Sequence, residues 1–274
     1  MDLTRLASVR TARTRDELVL APGEVFLGGG TWLYSEPQPA VTGVVDLMTM
    51  GWEPLERRGD GGLRIAATCT LEQLHAISPE LGGTAQPVFA QAVRSFLAGA
   101  KVWRTATVGG NLCFSAPASP IPALAAVLDA SIRIWGPSGK RRVPAADFVT
   151  GVAQNVLAQG ELVRAVDVPA AALGARTAWR RLALAPLGRA GVFVGGRREA
   201  SDRTVIVVAA ARTRPGVLEF ERMPEPGELA DAVRSLGEWY ADPHGTAEWR
   251  RAMALRLADE VRAELADGDK EARA

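Results

Sequence analysis

Two glycine tracts constrain this chain more than any other feature. Leu27-Gly28-Gly29-Gly30-Thr31 lies near its start, and Thr107-Val108-Gly109-Gly110-Asn111-Leu112 lies well downstream. Each puts backbone without side chains where the chain bends, next to a small hydroxyl or amide residue. Such bends expose N–H donors that a Cβ would hold away from a bulky anion. One is commonplace; two predict a diphosphate gripped from both sides. The first tract is not a common nucleotide loop. Counting from Gly28, the third position is Gly30 but the sixth is Leu33, and Pro37 follows too soon for a long helix. No Gly-Lys-Ser/Thr closes it. The second tract adds the Thr107 hydroxyl and Asn111, a residue that readily adopts turn conformations and bonds locally.

Composition narrows the chemistry. With 274 residues, 47% of them apolar, the chain can bury one large core or two modest ones. A net charge of +1 gives no basic field for nucleic acid. Met1 to Arg5 leads into mixed polar sequence without the apolar stretch of a secretory signal, and no run reaches the ~18 residues of a membrane span. The cytoplasm is the expected compartment. Cys69 and Cys113 are the only cysteines, and His75 and His244 the only histidines. That inventory cannot hold an iron–sulfur cluster or a zinc ion without outside ligands. Neither histidine has an evident carboxylate or serine companion, so no catalytic residue is assigned. Any redox chemistry must come from an organic cofactor.

Patterning predicts short strands at 24–29, 44–47 and 63–67. A helix start is expected at Thr70, with Gln73 at capping-box spacing, and helical spacing runs over 84–98. A short helix over 121–128, a strand at 132–135 and an alternating strand at 161–168 ending at Pro169 come next. After about residue 173 the texture changes. Strands at 179–184, 191–196, 204–210 and 217–220 precede helices near 227–240 and 246–265, with a frayed charged end from Asp267 to Arg273. Strands followed by helices indicate an α+β fold. The expected division is 1–172, with parts at about 1–55 and 56–172, followed by 173–274.

The residues Leu27-Gly28-Gly29-Gly30-Thr31-Trp32-Leu33, Thr107 to Cys113 and Ser115-Ala116-Pro117-Ala118 together resemble the FAD-binding medium subunit of molybdenum hydroxylases, the xanthine dehydrogenase and carbon monoxide dehydrogenase family. Leu63 to Leu71, Gly160 to Pro169 and His244 to Arg251 extend the likeness over nearly the whole chain. The resemblance implies a two-part FAD-binding domain of the vanillyl-alcohol oxidase-like (PCMH) type, followed by a smaller antiparallel-sheet-plus-helices domain.

It also implies that the FAD diphosphate lies between residues 26–33 (Phe26, Leu27, Gly28, Gly29, Gly30, Thr31, Trp32, Leu33) and 107–111 (Thr107, Val108, Gly109, Gly110, Asn111). Leu97 and Val163 would sit against the flavin or its neighbourhood. Arg180 would be a cation near the isoalloxazine, where it would stabilise anionic reduced flavin. By the same resemblance a large partner holds molybdopterin, a small partner carries 2Fe-2S clusters, and the flavin reduces NAD, oxygen or a quinone. Three departures stand out: Pro120 where relatives carry an acidic residue, Trp103-Arg104 where they carry Arg-Asn, and no Asp-rich approach around 190–196. Each charged-group hydrogen bond lost that way is worth roughly 1.5–3 kcal/mol. The alternatives are a self-sufficient FAD oxidase or dehydrogenase and a flavin-free scaffold subunit.

Overall fold

A computed structural model describes residues 6–271; the Met1 to Arg5 segment and the last three residues of the charged tail lie outside the described residues. The chain begins with three strands, β1 (Ser8–Thr11), β2 (Glu24–Leu27) and β3 (Gly43–Asp46), joined in the order β1-β3-β2 with every pair parallel. Val44 and Val45 in the middle strand are fully buried. This small sheet sends β2 straight into the first glycine tract, and the Leu47 amide extends the pairing by donating to the Leu27 carbonyl at 2.9 Å.

A second sheet forms from β4 (Leu55–Arg57), β5 (Leu63–Ala66), β6 (Ser131–Gly136) and β7 (Gly139–Pro144), with the hairpin β8 (Val149–Gly151) and β9 (Gln154–Asn155) alongside and β10 (Leu162–Val168) in its centre. Its order is β4-β5-β10-β6-β7, all antiparallel. Between β5 and β6 run α1 (Leu71–His75), α2 (Pro79–Gly82), α3 (Gln86–Ser95), α4 (Ala100–Thr105), α5 (Val108–Phe114) and α6 (Pro120–Val127). The expected capping box opens α1: Thr70 Oγ1 accepts from the Gln73 amide at 3.2 Å, and the Gln73 side chain accepts from the Thr70 amide at 2.9 Å. The α7 turn (Ala145–Phe148) and the α8 turn (Ala170–Leu173) close the sheet's ends.

The last third is an antiparallel meander, β11 (Arg176–Leu182), β12 (Val192–Arg198), β13 (Thr204–Ala209) and β14 (Gly216–Phe220), followed by α9 (Pro226–Ser235) and α10 (Ala247–Glu271). Its strands are apolar on both faces because both faces are covered. Phe193, Val205 and Val207 join the core around α3 and α6, while Val192, Val194, Ile206 and Val208 meet α9 and α10. On α10 the stripe Ala254, Leu257, Ala258, Val261 and Leu265 has helical spacing. Each buried Leu or Val there contributes about 1.5–3 kcal/mol. Arg250, buried at the start of α10, donates to the Gly191 and Gly245 carbonyls at 3.0 and 3.1 Å and pairs with Asp242. It ties the helix to the ends of the meander.

The structure departs from the pattern reading in several places. The helix expected over 84–98 stops at Ser95, because Phe96 adopts φ −82°, ψ 90° and turns out of the helix. The helix expected to reach 240 ends at Ser235. Strands β1 and β7 and helix α4 have no counterpart in that reading. Most consequential, the second glycine tract is not a bend but the first turn of α5, with Thr107 as its N-cap.

Candidate functional site

The two glycine tracts touch. An ideal Cβ on Gly29 would lie 1.6 Å from the Thr105 carbonyl oxygen, and one on Gly28 would lie 2.8 Å from Thr107 Oγ1. No side chain fits at Gly29, so glycine there lets the backbones close on each other. Gly30 has φ +70°, the left-handed region that lets the chain turn into residues 31–35, where its carbonyl accepts from the Tyr34 amide at 2.9 Å. Among the described residues, no hydrogen bond within the chain uses the amides of Gly28, Gly29 and Gly30. Three adjacent donors are left for an external acceptor.

The second tract behaves differently. Its amides are spent inside the fold. Val108 N–H donates to the Cys69 carbonyl at 2.8 Å, Gly109 N–H to the Ala67 carbonyl at 2.8 Å, and Asn111 N–H to the Thr107 carbonyl at 2.9 Å. The Gly110 amide donates to Thr107 Oγ1 at 3.0 Å. Glycine at 109 serves packing, since a Cβ there would lie 2.6 Å from the Ala67 Cβ and 2.9 Å from its carbonyl oxygen. The expectation that both tracts present bare amides is corrected: only the first does. A helix needs its first N–H groups satisfied, and here the turn after β5 and the Thr107 cap satisfy them. Thr107 still has its own hydroxyl proton to donate, because a hydroxyl accepts and donates at once.

Between the tracts opens a cleft of about 580 Å³, within the ordinary range for a small-molecule site. Residues 26–33, Thr107, Gly110 and Asn111 line it, together with Phe96, Val102, Cys113 and Phe114. Trp32 and Phe114 form its aromatic wall, with ring centroids 5.3 Å apart and planes tilted by 39°. No charged side chain lines it among the described residues. Burial pushes the Cys113 thiol up to about 12; it is a neutral wall group rather than a nucleophile. The cleft therefore offers neutral donors to an anion, and apolar and aromatic surface to a planar ring.

Five of the expected residues do not line this cleft. Val108 and Gly109 are buried beneath it against β5. Leu97 points to solvent at 45% exposure because α3 has already ended, and its neighbour Phe96 takes the cleft position. Val163 belongs to the core of the five-stranded sheet. Arg180 sits on β11 and pairs across to α10, with Glu264 at 2.5 Å and Glu260 at 3.5 Å. Its charge is neutralised there by two carboxylates. Phe114 escaped sequence reading, and Cys113 reads there as a buried thiol with at most a minor place near a ligand, although they follow Gly110 by four and three residues. That spacing puts all three on one side of a helix once the tract is read as helical.

The departures from the family pattern also have structural roles. Pro120 is the first residue of α6, where its missing N–H costs nothing. The Asn111 Oδ1 accepts from the Ile121 amide at 3.1 Å, capping that same helix from a distance. Trp103 Nε1 donates to the Phe96 carbonyl at 3.2 Å and its ring stacks near His75 with centroids 5.2 Å apart. Arg104 pairs with Glu72 at 3.1 Å on the surface.

Free glycine amides lining an uncharged, aromatic-walled cleft suit the class of domain that holds a planar cofactor with an anionic tail. The chain belongs to the family described as the FAD binding domain in molybdopterin dehydrogenase, whose profile matches residues 9–171. It is 28% identical over 213 residues to the carbon monoxide dehydrogenase medium chain of Hydrogenophaga pseudoflava, an alignment covering 73% of this chain and 74% of that one. It is 33% identical over 110 residues to the xanthine dehydrogenase FAD-binding subunit of Escherichia coli O157:H7, covering 40% of this chain and 37% of that protein. In fold it is similar to reconstituted CO dehydrogenase from Oligotropha carboxidovorans, with a TM-score of 0.83 at 22% identity over 94% of this chain and 98% of the other. The chain is thus an FAD-binding subunit of the molybdenum-hydroxylase class of oxidoreductases. The residues present fit FAD: three unpartnered amides and two hydroxyls can meet a diphosphate, and Trp32 and Phe114 can meet a ring system.

Proposed function

We propose that the chain carries FAD and relays electrons within a heterotrimer, from the 2Fe-2S clusters of a small subunit to an external acceptor such as NAD, oxygen or a quinone. A large subunit would hold molybdopterin and oxidise the substrate, and the assembly would work in the cytoplasm. Residues 1–172 would form the cofactor-carrying part and 173–274 the companion part. One observation carries the reading above the others: the unpartnered Gly28, Gly29 and Gly30 amides lie beside Thr107, and both tracts line one cleft with no charged side chain among its lining residues. When bound, FAD supplies the redox chemistry. This chain's own residues do the rest. The three amides and the Thr31 and Thr107 hydroxyls would hold the diphosphate, each bond to a charged oxygen contributing roughly 1.5–3 kcal/mol. Trp32, Phe96 and Phe114 would keep water from the ring. Described residues contain no helix long and apolar enough to cross a membrane.

Co-expression with iron–sulfur and molybdopterin subunits tests the reading. The purified assembly should show one flavin per chain and an absorbance that bleaches on adding the complex's substrate. A colourless assembly with intact partners would replace the proposal with the flavin-free scaffold, and turnover by the isolated chain would replace it with a self-sufficient oxidase.

A further inference from the structure

Helix α5 is a poor helix by itself. It has seven residues, and two of them are Gly109 and Gly110. Isolated helices shorter than ~12–15 residues are marginal in water even without glycine. Both ends of α5 must therefore be held from outside. Thr107 and the Ala67 and Cys69 carbonyls hold the first turn. The last turn carries Cys113 and Phe114 into the cleft, and the final carbonyls of any helix lack helical partners.

The β8–β9 hairpin meets that last turn. Asn155 Nδ2 donates to the Cys113 carbonyl at 2.9 Å and to Ser115 Oγ at 3.3 Å. Ser115 Oγ in turn donates to the Leu112 carbonyl at 2.7 Å. The Asn155 side chain is aimed by its own end of the strand: its Oδ1 accepts from the Leu157 amide at 3.0 Å, which spends the oxygen locally and turns the nitrogen toward α5. The backbone is strained at the same junction. Ser115, 1% exposed, has φ +49° and Ala153 has φ +54°, a left-handed conformation that side chains disfavour. The Ala153 amide donates to the Ser115 carbonyl at 3.1 Å, and Ala153 itself lines the cleft. Two such residues bonded to each other persist only where their surroundings hold them, and such strain clusters at ligand clamps.

Resting on the flavin reading above, we propose that Asn155 is a positioning residue for the cofactor: by holding the last turn of α5 against the β8–β9 hairpin, it keeps Cys113 and Phe114 in the cleft before FAD arrives. Without its donor the last turn of α5 frays, and the wall that Phe114 forms with Trp32 loosens.

The experiment compares the full-length wild-type chain with two variants. Asn155→Asp keeps the side chain's size and its acceptor for Leu157 but cannot donate to Cys113 at neutral pH. Gln154→Ala changes the same hairpin and leaves Asn155 in place. With flavin removed, the first measurement is the rate at which Cys113 reacts with iodoacetamide, with the fully buried Cys69 as internal control. The second is FAD affinity by fluorescence titration, together with the visible circular dichroism of the bound flavin. Asn155→Asp should label Cys113 faster, leave Cys69 protected and alter the flavin dichroism. It should bind FAD about tenfold more weakly, the change that one net hydrogen bond represents. Gln154→Ala should match wild type. Wild-type labelling in Asn155→Asp, faster labelling with unchanged affinity and dichroism, or equal losses in Gln154→Ala each overturn the inference while leaving the flavin reading intact. If Cys69 reacts as well, the variant has opened as a whole, and the neutral Asn155→Ser replaces it under the same criteria; a second global opening overturns the inference. A wild-type chain that takes up no FAD sinks the flavin reading itself, and this inference with it.

Discussion

Gly29 faces the carbonyl oxygen of Thr105 so closely that a Cβ built on it would lie 1.6 Å away. That contact holds the end of β2 against the end of α4, and so sets the width of the cleft between the two glycine tracts.

Replacing Gly29 with Ala should therefore force the tracts apart. Overpacking of a well-packed site costs typically about 1–3 kcal/mol, and here the obstacle is backbone rather than a side chain that can swing away. Flavin content of purified Gly29→Ala should fall well below one per chain, with a lowered melting temperature. Full flavin loading in the variant would show that the tracts do not define the site.

Asn111 separates folding from cofactor binding. Its Oδ1 caps α6 through Ile121 while its side chain lines the cleft. Asn111→Ala should lose that bond and cost about 1–3 kcal/mol, seen as a shifted urea midpoint. Asn111→Asp should keep the midpoint, since a carboxylate suits a helix N-terminus. Facing a diphosphate it should nonetheless weaken FAD binding, measured by flavin fluorescence titration.

Arg180 provides a negative test. With Glu264 and Glu260 as partners and no place on the cleft, Arg180→Gln should leave flavin content and flavin reduction potential unchanged. Partly exposed pairs of this sort contribute about 1 kcal/mol or less. A shift in flavin potential on Arg180→Gln would restore Arg180 to the cofactor's surroundings.

Asp167 predicts a pH dependence. Burial pushes its carboxyl up, but hydrogen bonds and charge from Arg64, with Arg133, more than offset this and leave it below the usual range. A carboxylate lowered in the folded state stabilises fully above its unfolded value of about 3.9 and loses that contribution as pH falls through the folded value. Asp167→Asn should cost about 3 kcal/mol at neutral pH by leaving Arg133 without its carboxylate and Arg64 with only Glu56. The gap from wild type, read from denaturant melts, should stay level down to about pH 5 and shrink below about pH 4.

Much of the frame was legible in the residues. Glu161 to Val168 reads as a strand ending at Pro169, and its Leu162–Val168 stretch is the centre of the sheet. The unbroken apolar runs at 192–194 and 205–209 match strands covered on both faces, and Thr70 with Gln73 marks a helix start that is present. The 107–111 tract was misread for a physical reason. Glycine costs about 1 kcal/mol per residue in a helix, so Gly109-Gly110 argues for a bend. Contacts from the segment after β5 outweigh that cost: the Ala67 and Cys69 carbonyls accept from the first amides of α5. Because the tract is helical, Cys113 and Phe114 turn into the cleft with Gly110, and Leu97 is left outside because α3 ends before it.

The chain's own residues decided the frame and carry the family likeness, because glycine tracts, alternating strands and closing helices are local patterns that any fold of the chain must respect. Only the tertiary structure decided which donors remain for a cofactor. Whether an amide is free depends on whether a distant carbonyl reaches it; Ala67 and Cys69 reach the second tract, and nothing within the described fold reaches Gly28, Gly29 and Gly30.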